Sequence, residues 1–579
     1  MEFLLINIVD DILPYKSDLL SASVIAIDTE TTGLDPHISK IRLIQLAAKG
    51  MPVLVIDCST FLPEGVHILR ELFSTIGIKV FQNAKFDLQF LLALEIPPPS
   101  AIFDTMLAAQ LLRTSEGPQR VGLDELVRHY LGENISKDNQ KSDWSGVLTR
   151  EQLEYAAKDA EVLLQLRKEM LTQLKQNNLV EAARQEFACV RAIAQVEYNG
   201  ISLELSRWNE LKEKIQQEQQ LWLDKLYEYT GHPTIQMSFF DDKVVNSINM
   251  DSNKQLLELL HKNGIVVENT SRHELAPYAQ NPLVHILTEY RRTAKLLSTF
   301  LYSLPQQIHP VTGRLHPKYS QIGSWSGRMS CGGPNIQQIP RDKNFRACFC
   351  APEGKKLIIA DYSQIELRVV AEISKDARMI ESYRNGEDLH RLTAALVSGK
   401  SISQITKEER QSAKAMNFGL VFAMGAKGLQ SYAEETYGVA MTLQQAEQFR
   451  NRFFNAYQGV ASWHKKLKNN PPAQSRTIAG RKHVYGNNAG LSGLCNTPVQ
   501  GSAADIIKNA LGLLVDRLDN SSTKILAVVH DEIVLETESE KASEVAEILK
   551  ETMESAGADY LKLVPVVAEV EIAYSWAEK

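Results

Sequence analysis

The chain has 579 residues, which is more than one hydrophobic core can organise, so we expect several domains. Hydrophobic residues at 44% and charged residues at 23% are typical of a globular protein, and no apolar run is long enough to span a membrane. The N-terminus lacks the basic start of a secretory signal, and the six cysteines lack zinc-ligand spacing. We therefore predict a cytoplasmic protein with reduced thiols and no membrane partner.

The charge is unevenly distributed along the chain. The formal net charge is −7, yet residues 448–504 contain eight Lys or Arg and no acid, and residues 291–350 contain nine Lys or Arg and one acid. Because neutralised phosphates release counterions, two such basic tracts favour a polyanionic partner. A solvated basic face is the alternative for each tract.

The first third of the chain alternates predicted strands with helical patterns. Strands are predicted in VIAIDTE, KIRLIQLAA and VLVID, and helical patterns follow to about residue 175. This alternation predicts an α/β domain with a mixed sheet.

Four acids and a tyrosine of this region form a first constellation. Asp28 and Glu30 are expected on one face of a strand, because side chains alternate. Asp87 follows in QNAKFD, and Tyr155 precedes Asp159 by one helical turn. Oxygen-rich clusters suit Mg²⁺ or Mn²⁺, and two such ions can activate a water against a phosphodiester. Each acid taken alone favours the alternative of an ordinary surface residue.

The central part of the chain is predicted to be mostly helical. An amphipathic stretch begins at Ser206 and ends near a TGHP breaker, and helix resumes through LVHILTEYRRTAKLLSTF. The segment from Pro233 to about Thr270 has a polar and irregular pattern. Residues 376–460 are again mostly helical, and the last hundred residues end in strands. We place the main domain boundary near residues 172–185.

A second group of carboxylates lies in the C-terminal half. Asp361 directly follows the apolar strand LIIA, with Glu366 five residues later. VVHDEIVLE reads as two short strands with His530, Asp531 and Glu532 between them, where the Gly or Asn-Gly of a tight hairpin is missing. If the strands are adjacent, Asp361 and Asp531 can share two Mg²⁺ ions. Solvated turn residues are the alternative.

A helix between these carboxylates presents cations where a packing helix would present apolar side chains. Thr406 and Glu409 predict a capping box at its start. Arg410, Lys414 and Phe418 then fall on one face, a set that suits a triphosphate and a base. A salt-bridged surface helix is the alternative.

These motifs resemble those of two known enzyme families. DxE, NxxxFD and YxxxD, together with FDTMLAAQLL, resemble the DEDD superfamily of 3′–5′ exonucleases in its tyrosine-containing branch. DYSQIELR, RxxxKxxxFG and VHDE resemble motifs A, B and C of family A DNA polymerases, and SGRMSCGGPNIQQIP and NTPVQGSAADIIK resemble two further segments of that family. The resemblance covers nearly the whole chain and is to the Klenow part of the bacterial members, without a 5′-nuclease domain.

The resemblance implies both fold and function. It implies a ribonuclease H-like α/β exonuclease domain over residues 1–175 and an α+β right-hand polymerase domain over 176–579. The thumb is expected at about 206–305, the fingers at about 376–485 and the palm in the remainder. The implied activity is template-directed addition of deoxynucleotides to a primer 3′-OH with proofreading, in DNA replication or repair. The implied partners are primer-template DNA and deoxynucleoside triphosphates, with two Mg²⁺ or Mn²⁺ ions per site in a monomer.

The resemblance also implies roles for individual residues. Metal binding and catalysis are expected of Asp28, Glu30, Asp87 and Asp159, with Tyr155 orienting the water, and of Asp361 and Asp531, with Glu532 beside them. Contacts with the incoming nucleotide are expected of Arg410, Lys414, Phe418, His390, Glu366 (which blocks a ribose 2′-hydroxyl), Gln364 and Phe422. Contacts with primer and template are expected of Arg328, Asn335, Gln337, Asn496, Gln500, His530, Lys295 and Arg481. Donors in the minor groove can test base-pair shape without reading sequence.

Three places depart from the family pattern. Phe422 and Ala423 stand where a Tyr-Gly pair is common, Leu491 and Ser492 where a Glu-Arg pair is usual, and Gln338 where the family has Asn. None of them is a predicted metal ligand, so we expect activity to be kept and fidelity to be altered. Without the tyrosine hydroxyl, the glutamate that gates the sugar must find another donor.

Two other functions compete with this hypothesis. One is a nuclease whose C-terminal half only binds nucleic acid, against which the intact Asp361, Asp531, Arg410 and Lys414 argue. The other is a related single-chain RNA polymerase, against which Glu366 and the exonuclease motifs argue.

Overall fold

The computed structural model describes residues 2–114, 121–135, 142–231, 248–250, 252–486, 489–519 and 521–579. Two large hydrophobic cores organise this part of the chain, one around an N-terminal sheet and one around a C-terminal sheet, with a smaller core between helices of the middle segment. No helix in the described ranges has both the length and the apolar character needed to cross a bilayer.

A six-stranded mixed sheet, in the order β1-β4-β3-β2-β5-β6, organises the N-terminal part. Strand β3 is antiparallel to β2 and β4, and the other pairs are parallel. The predicted strands are confirmed as β2, β3 and β4. The strands are β1 Phe3–Ile6, β2 Val24–Thr31, β3 Ile41–Ala48, β4 Val53–Asp57, β5 Ile78–Phe81 and β6 Ile102–Asp104.

Helices accompany this sheet, and β4 is buried along its whole length, which explains its unbroken apolar run. These helices are α1 Val9–Ser21, α2 Cys58–Phe61, α3 Val66–Phe73, α4 Ala84–Ala93, α5 Thr105–Leu112, α6 Leu123–Leu126 and α7 Arg150–Gln176. Helix α8, Val180–Asn199, follows directly and contributes side chains to both large cores. The division into domains at residue 175, and into thumb, fingers and palm, stays a prediction.

The middle segment is helical, as predicted, but one helix was missed. The elements are β7 Ile201–Ser202, α9 Leu205–Thr230, α10 Asn253–Lys262, α11 Arg272–Leu275 and α12 Pro282–Leu296. The expectation of an irregular pattern up to about Thr270 is wrong for α10, because Ser252 caps the helix and Leu256, Leu259 and Leu260 are buried. Residues 233–247 and 251 of the same prediction lie outside the described residues.

A four-stranded antiparallel sheet, in the order β14-β15-β11-β16, organises the C-terminal part. Its strands are β11 Lys355–Tyr362, β14 Thr523–Val529, β15 Glu532–Glu538 and β16 Ala568–Ala573, and short strands elsewhere are β8 Arg314–Leu315, β9 Lys318–Ser320, β10 Ser330–Gly332, β12 Gln474–Arg476 and β13 Lys482–Val484. Both strands predicted around the VHDE motif are confirmed, and β11 runs into a helix as expected.

Helices fill most of the chain between β11 and β14. They are α14 Ile365–Ser374, α15 Ala377–Arg384, α16 Leu389–Ser398, α17 Lys407–Val421, α18 Ala426–Tyr437, α19 Leu443–Ala456, α20 Gln458–Asn469 and α21 Leu491–Arg517. Two more are α13 Lys343–Arg346, before the sheet, and α22 Ala542–Ala558, which packs against β16 and α21. The predicted capping box of Thr406 and Glu409 is confirmed at the start of α17.

Candidate active sites

Three carboxylates converge on the second half of strand β2. Asp28 and Glu30 lie two positions apart on this strand, so their side chains share one face, and helix α7 packs across β2 and carries Asp159. One carboxylate oxygen from each residue lies within 4.8 Å of those of the other two. The structure thus brings together three of the four acids of the first constellation.

The other two members of the constellation adjoin this cluster. Asp87 is buried on α4, and the Thr29 hydroxyl donates a hydrogen bond of 2.7 Å to its Oδ1. Tyr155 lies one turn before Asp159 on α7, and its hydroxyl hydrogen-bonds the Asp159 carboxylate. The tyrosine hydroxyl is therefore directed at the carboxylates, as water orientation would require.

Burial raises the pKa of every acid in this cluster, and repulsion from the other acids of the cluster adds to the increase at Asp28 and Glu30. Burial, reinforced by the charges of Glu30, Asp159 and Asp87, raises the pKa of Asp28 well above its usual range. Burial chiefly raises the pKa of Glu30 to about 9 and those of Asp87 and Asp159 to about 7. In the described ranges no Lys or Arg lowers any of these pKa values. A donor set of carboxylate oxygens without a counter-cation fits a hard divalent cation such as Mg²⁺ or Mn²⁺.

The second group of carboxylates lies at one end of the C-terminal sheet. Asp361 pairs in register with Glu532 across β11 and β15, and Asp531 directly precedes β15 in the turn. His530 takes the left-handed conformation of the turn, with φ of 60°, at the place where a glycine was missing from the sequence pattern. Asp361 and Asp531 are therefore neighbours at the end of two paired strands.

These two aspartates also resist ionisation, but cationic side chains lie close by. Burial, and then the charge of Asp361, raises the pKa of Asp531 to about 7. Burial raises the pKa of Asp361 as well, and the Lys579 ammonium, 2.9 Å from Asp361 Oδ2, opposes that increase. Glu532 is buried and accepts a hydrogen bond of 2.5 Å from Trp576 Nε1. Lys579 and Trp576 were missed by the sequence analysis, because no motif links them to the VHDE hairpin.

The predicted nucleotide-binding face of α17 carries Arg410, Lys414 and Phe418 as expected from their spacing. Arg410 Nε donates 2.6 Å to Asp388 Oδ2, and burial lowers the pKa of Lys414. His390 lies 5.8 Å from the Phe418 ring, between centroids, but it is only 2% exposed and bonded to Asn417. Burial lowers its pKa to about 4, so its imidazole is neutral at pH 7.

The predicted sugar gate has a partner that the sequence did not reveal. Arg328 forms an ion pair with Glu366, so the glutamate has a donor without any hydroxyl from Phe422. Gln364 occupies the N-cap position of α14 in a left-handed conformation, and its side chain accepts a hydrogen bond of 3.2 Å from the Tyr383 hydroxyl. Arg328 was expected only at the DNA, and the structure also connects it to the gate.

The other predicted DNA contacts lie around the VHDE turn and along α21. Gln337 Nε2 donates 3.4 Å to the Val528 carbonyl, and Gln500 is half-buried on α21. Among the described residues, no hydrogen-bond donor reaches the buried side-chain oxygens of Asn335 and Asn496. Lys295 is exposed on α12, which precedes the other predicted DNA contacts in the chain.

The expectation that Arg481 contacts DNA is wrong. Its side chain is only 4% exposed, it forms an ion pair with Glu186, and its Nε lies 3.1 Å from Asp505 Oδ1. Lys508 Nζ adds a third cation–anion contact, 2.6 Å from Glu186 Oε1. A guanidinium that is enclosed by two carboxylates cannot reach a phosphate. The local charge of the basic tract predicts a DNA contact, but it does not reveal the pairing of Arg481 with Glu186, which lies 295 residues away in the chain.

The departures from the family pattern occupy helix ends and a short turn. Phe422 is the C-cap residue that follows α17, and Ala423 comes next with φ of 61°, a conformation that costs a residue with a Cβ about 1–2 kcal/mol. Leu491 and Ser492 begin α21, and Gln338 ends a single turn of 3₁₀ helix. Their effect on fidelity stays a prediction.

Comparisons with known proteins match both parts of the chain. Residues 207–578 match DNA polymerase family A, and residues 8–175 match a 3′-5′ exonuclease family. DNA polymerase I of Aquifex aeolicus is 36% identical over 578 residues, which cover 95% of each chain. DNA polymerase I of Pseudomonas aeruginosa is 30% identical over 97% of this chain, which spans 64% of that protein's length.

A solved structure shares the fold over 98% of the chain. The POL domain of Pol1 from M. smegmatis, in complex with DNA primer-template and dNTP, superposes with a TM-score of 0.80. The alignment covers 98% of each chain at 24% sequence identity. At this identity the likeness establishes the fold.

Proposed function

The chain belongs to DNA polymerase family A and carries a 3′–5′ exonuclease domain, and on this premise we propose how its two carboxylate sites divide the work. Template-directed DNA synthesis with proofreading is the function that the two matched domains support. We assign synthesis to the site of Asp361 and Asp531. We assign removal of a mispaired 3′ end to the site of Asp28, Glu30 and Asp159.

In the polymerase site, Asp361 and Asp531 would hold two Mg²⁺ or Mn²⁺ ions. When bound, such ions lower the pKa of an attacking hydroxyl and neutralise the charge on a triphosphate. Arg410 and Lys414 would orient the triphosphate from α17, and Glu366, held by Arg328, would exclude a ribose 2′-hydroxyl. The partners are primer-template DNA and deoxynucleoside triphosphates, and the chain would act as a monomer in the cytoplasm.

In the exonuclease site, Asp28, Glu30, Asp87 and Asp159 would hold the metal ions, and Tyr155 would orient the attacking water. The observation that carries this assignment is the convergence of three carboxylates within 4.8 Å, without a cationic side chain among the described residues that lowers the pKa of Asp28 or Glu30. Like charges at this distance disfavour each other's ionisation, and a cation bound between them favours the ionised form.

Separating the two activities by mutation tests the proposal. Asp28→Ala with Glu30→Ala should abolish degradation of a single-stranded 3′ end and leave primer extension intact. Asp531→Ala should abolish extension of a labelled primer-template and leave degradation intact. Glu71→Ala, at an exposed ion pair with Lys16, is a control that should change neither activity. Loss of both activities in either folded variant would contradict the assignment of two independent sites.

A further inference from the structure

A lysine lies among the polymerase carboxylates. Lys579 Nζ is 2.9 Å from Asp361 Oδ2 and 2.5 Å from Glu532 Oε2, so one ammonium bridges the two acids. The side chains of Lys579 and Asp361 are 21% and 34% exposed, and that of Glu532 is 7% exposed. The contact therefore lies at the mouth of the site, where solutes can reach Asp361.

The chain segment that carries Lys579 is held by several independent contacts. The Trp576 ring is fully buried, and its main-chain N–H donates 3.0 Å to the Phe349 carbonyl. Trp576 Nε1 donates to Glu532, and the Arg346 guanidinium lies 4.7 Å from the centre of the same ring. These contacts fix the backbone one short helical turn before Lys579, so the ammonium is presented to the carboxylates by an anchored segment.

The geometry leads us to propose that Lys579 is the internal counter-cation of the polymerase site. Its ammonium binds Asp361 and Glu532 when divalent metal is absent and competes with the metal for Asp361. Glu532 keeps its bonds to Trp576 and Lys579 throughout, which makes Glu532 a positioning residue for the lysine. This inference rests on the proposed function in one respect, that Asp361 is a metal ligand.

The competition between the ammonium and a divalent ion follows from the hydrogen-bond donors and acceptors that the site contains. An ammonium offers three N–H donors and no acceptor, so it can satisfy Asp361 and Glu532 together in the absence of other cations. A divalent ion that binds Asp361 uses the same carboxylate, of which the ammonium contacts Oδ2, and is repelled by the nearby positive charge. Lys579 must therefore give up its bond to Asp361 before the site can fill, and the loss of that bond weakens metal binding.

The experiment measures Mn²⁺ binding alone, without DNA or nucleotide, from the electron paramagnetic resonance signal of free Mn²⁺. The starting protein is the full chain with Asp28→Ala and Glu30→Ala, so that the exonuclease site does not contribute to the measured Mn²⁺ binding. Lys579→Met removes the charge and keeps the length of the side chain, Lys579→Gln removes the charge with a polar group, and Lys579→Arg keeps the charge. Asp361→Asn tests the metal ligand itself.

We expect both neutral variants to bind Mn²⁺ about tenfold more tightly, the change that corresponds to 1.4 kcal/mol. Lys579→Arg should bind like the starting protein. Unchanged or weaker binding in the neutral variants, with unchanged melting temperature, would overturn the inference. If Asp361→Asn binds Mn²⁺ as well as the starting protein does, the failure belongs to the proposed function, because Asp361 is then no metal ligand.

Discussion

Two clusters of fully or partly buried carboxylates in this molecule have opposite electrostatics. In the exonuclease cluster, burial and mutual repulsion raise the pKa of Asp28 and of Glu30, and no described cation offsets them. In the network that joins α8 to α21, burial by itself would raise the pKa of Glu186, but Lys508 and Arg481 outweigh burial and lower it. Asp28 and Glu30 of the first cluster are partly exposed, whereas Glu186 is fully buried, and in the described part of the chain only the second cluster is paired with cations.

The difference indicates what each cluster is for. A buried carboxylate that is paired with Lys or Arg is already satisfied, so it can hold secondary-structure elements together and has no need of a ligand. A group of buried acids without a partner is costly until an external cation arrives. The polymerase site lies between these cases, because Lys579 pairs with Asp361 and with Glu532. Burial alone would not have distinguished these three groups of carboxylates.

The largest effect should come from removing a paired acid. Glu186→Ala would leave Arg481 and Lys508 buried without that carboxylate, which should destabilise the protein by about 3–5 kcal/mol. Denaturant unfolding followed by circular dichroism measures the change. Glu181→Ala, at an exposed ion pair on the same helix, is the matched control and should unfold at the wild-type denaturant concentration. Equal stability of the two variants would show that the network does not hold the fold.

Neutralising the unpaired acids Asp28 and Glu30 should raise the free energy of unfolding, whereas removing Glu186 should lower it. Glu30 has its pKa raised from 4.5 to about 9, so the metal-free wild type should lose stability as pH rises from about 4.5 to about 9. Asp28→Asn with Glu30→Gln should remove most of this dependence of stability on pH. At pH 8 the free energy of unfolding of this variant should exceed that of the wild type by at least about 1.4 kcal/mol, the equivalent of one pKa unit. Unfolding in a chelator at several pH values measures this.

Added Mg²⁺ provides the control for that prediction. It should stabilise the wild type more at pH 8 than at pH 6, because metal binding needs the ionised carboxylates. The double variant should respond less at both pH values. A wild type whose metal-free stability is flat between pH 5 and pH 9 would contradict the raised pKa values.

The smallest effect should come from the sugar gate. Because Arg328 already pairs with Glu366, Phe422→Tyr adds a donor that the glutamate does not need. We expect the ratio of kcat/KM for a deoxynucleotide to that for its ribonucleotide to change by less than about threefold. This is well below the tenfold change that about 1.4 kcal/mol would produce. Glu366→Ala should collapse the same ratio. A tenfold gain in Phe422→Tyr would show that the ion pair does not hold the gate.

The sequence predicted the elements and the acids that local patterns encode. Period-two alternation located β2 and placed Asp28 beside Glu30, and the spacing of four placed Tyr155 one turn from Asp159. The end of the apolar run LIIA likewise located Asp361. These inferences needed only neighbours within a few residues.

The features that the sequence did not predict depend on distant partners. Arg481 was read as a DNA contact because its neighbours are basic, but its partner Glu186 lies 295 residues away in the chain. Lys579 lies 47 residues from Glu532, outside any motif. The burial of His390 depends on its packing against Asn417 and Phe418 of a later helix. Long-range pairing of charges is set by the tertiary fold, and no local pattern carries it.

Extension of a primer with a mispaired 3′ end tests the central claim, that unpaired acids form a proofreading site separate from the synthesis site. With four deoxynucleotides, the wild type should first shorten the primer and then extend it, so that the product carries the templated base. Asp28→Asn with Glu30→Gln should extend a matched primer normally and keep the mismatch in any product that it makes from the mispaired one. Products of the wild type that retain the mismatch as often as those of the variant would contradict the account.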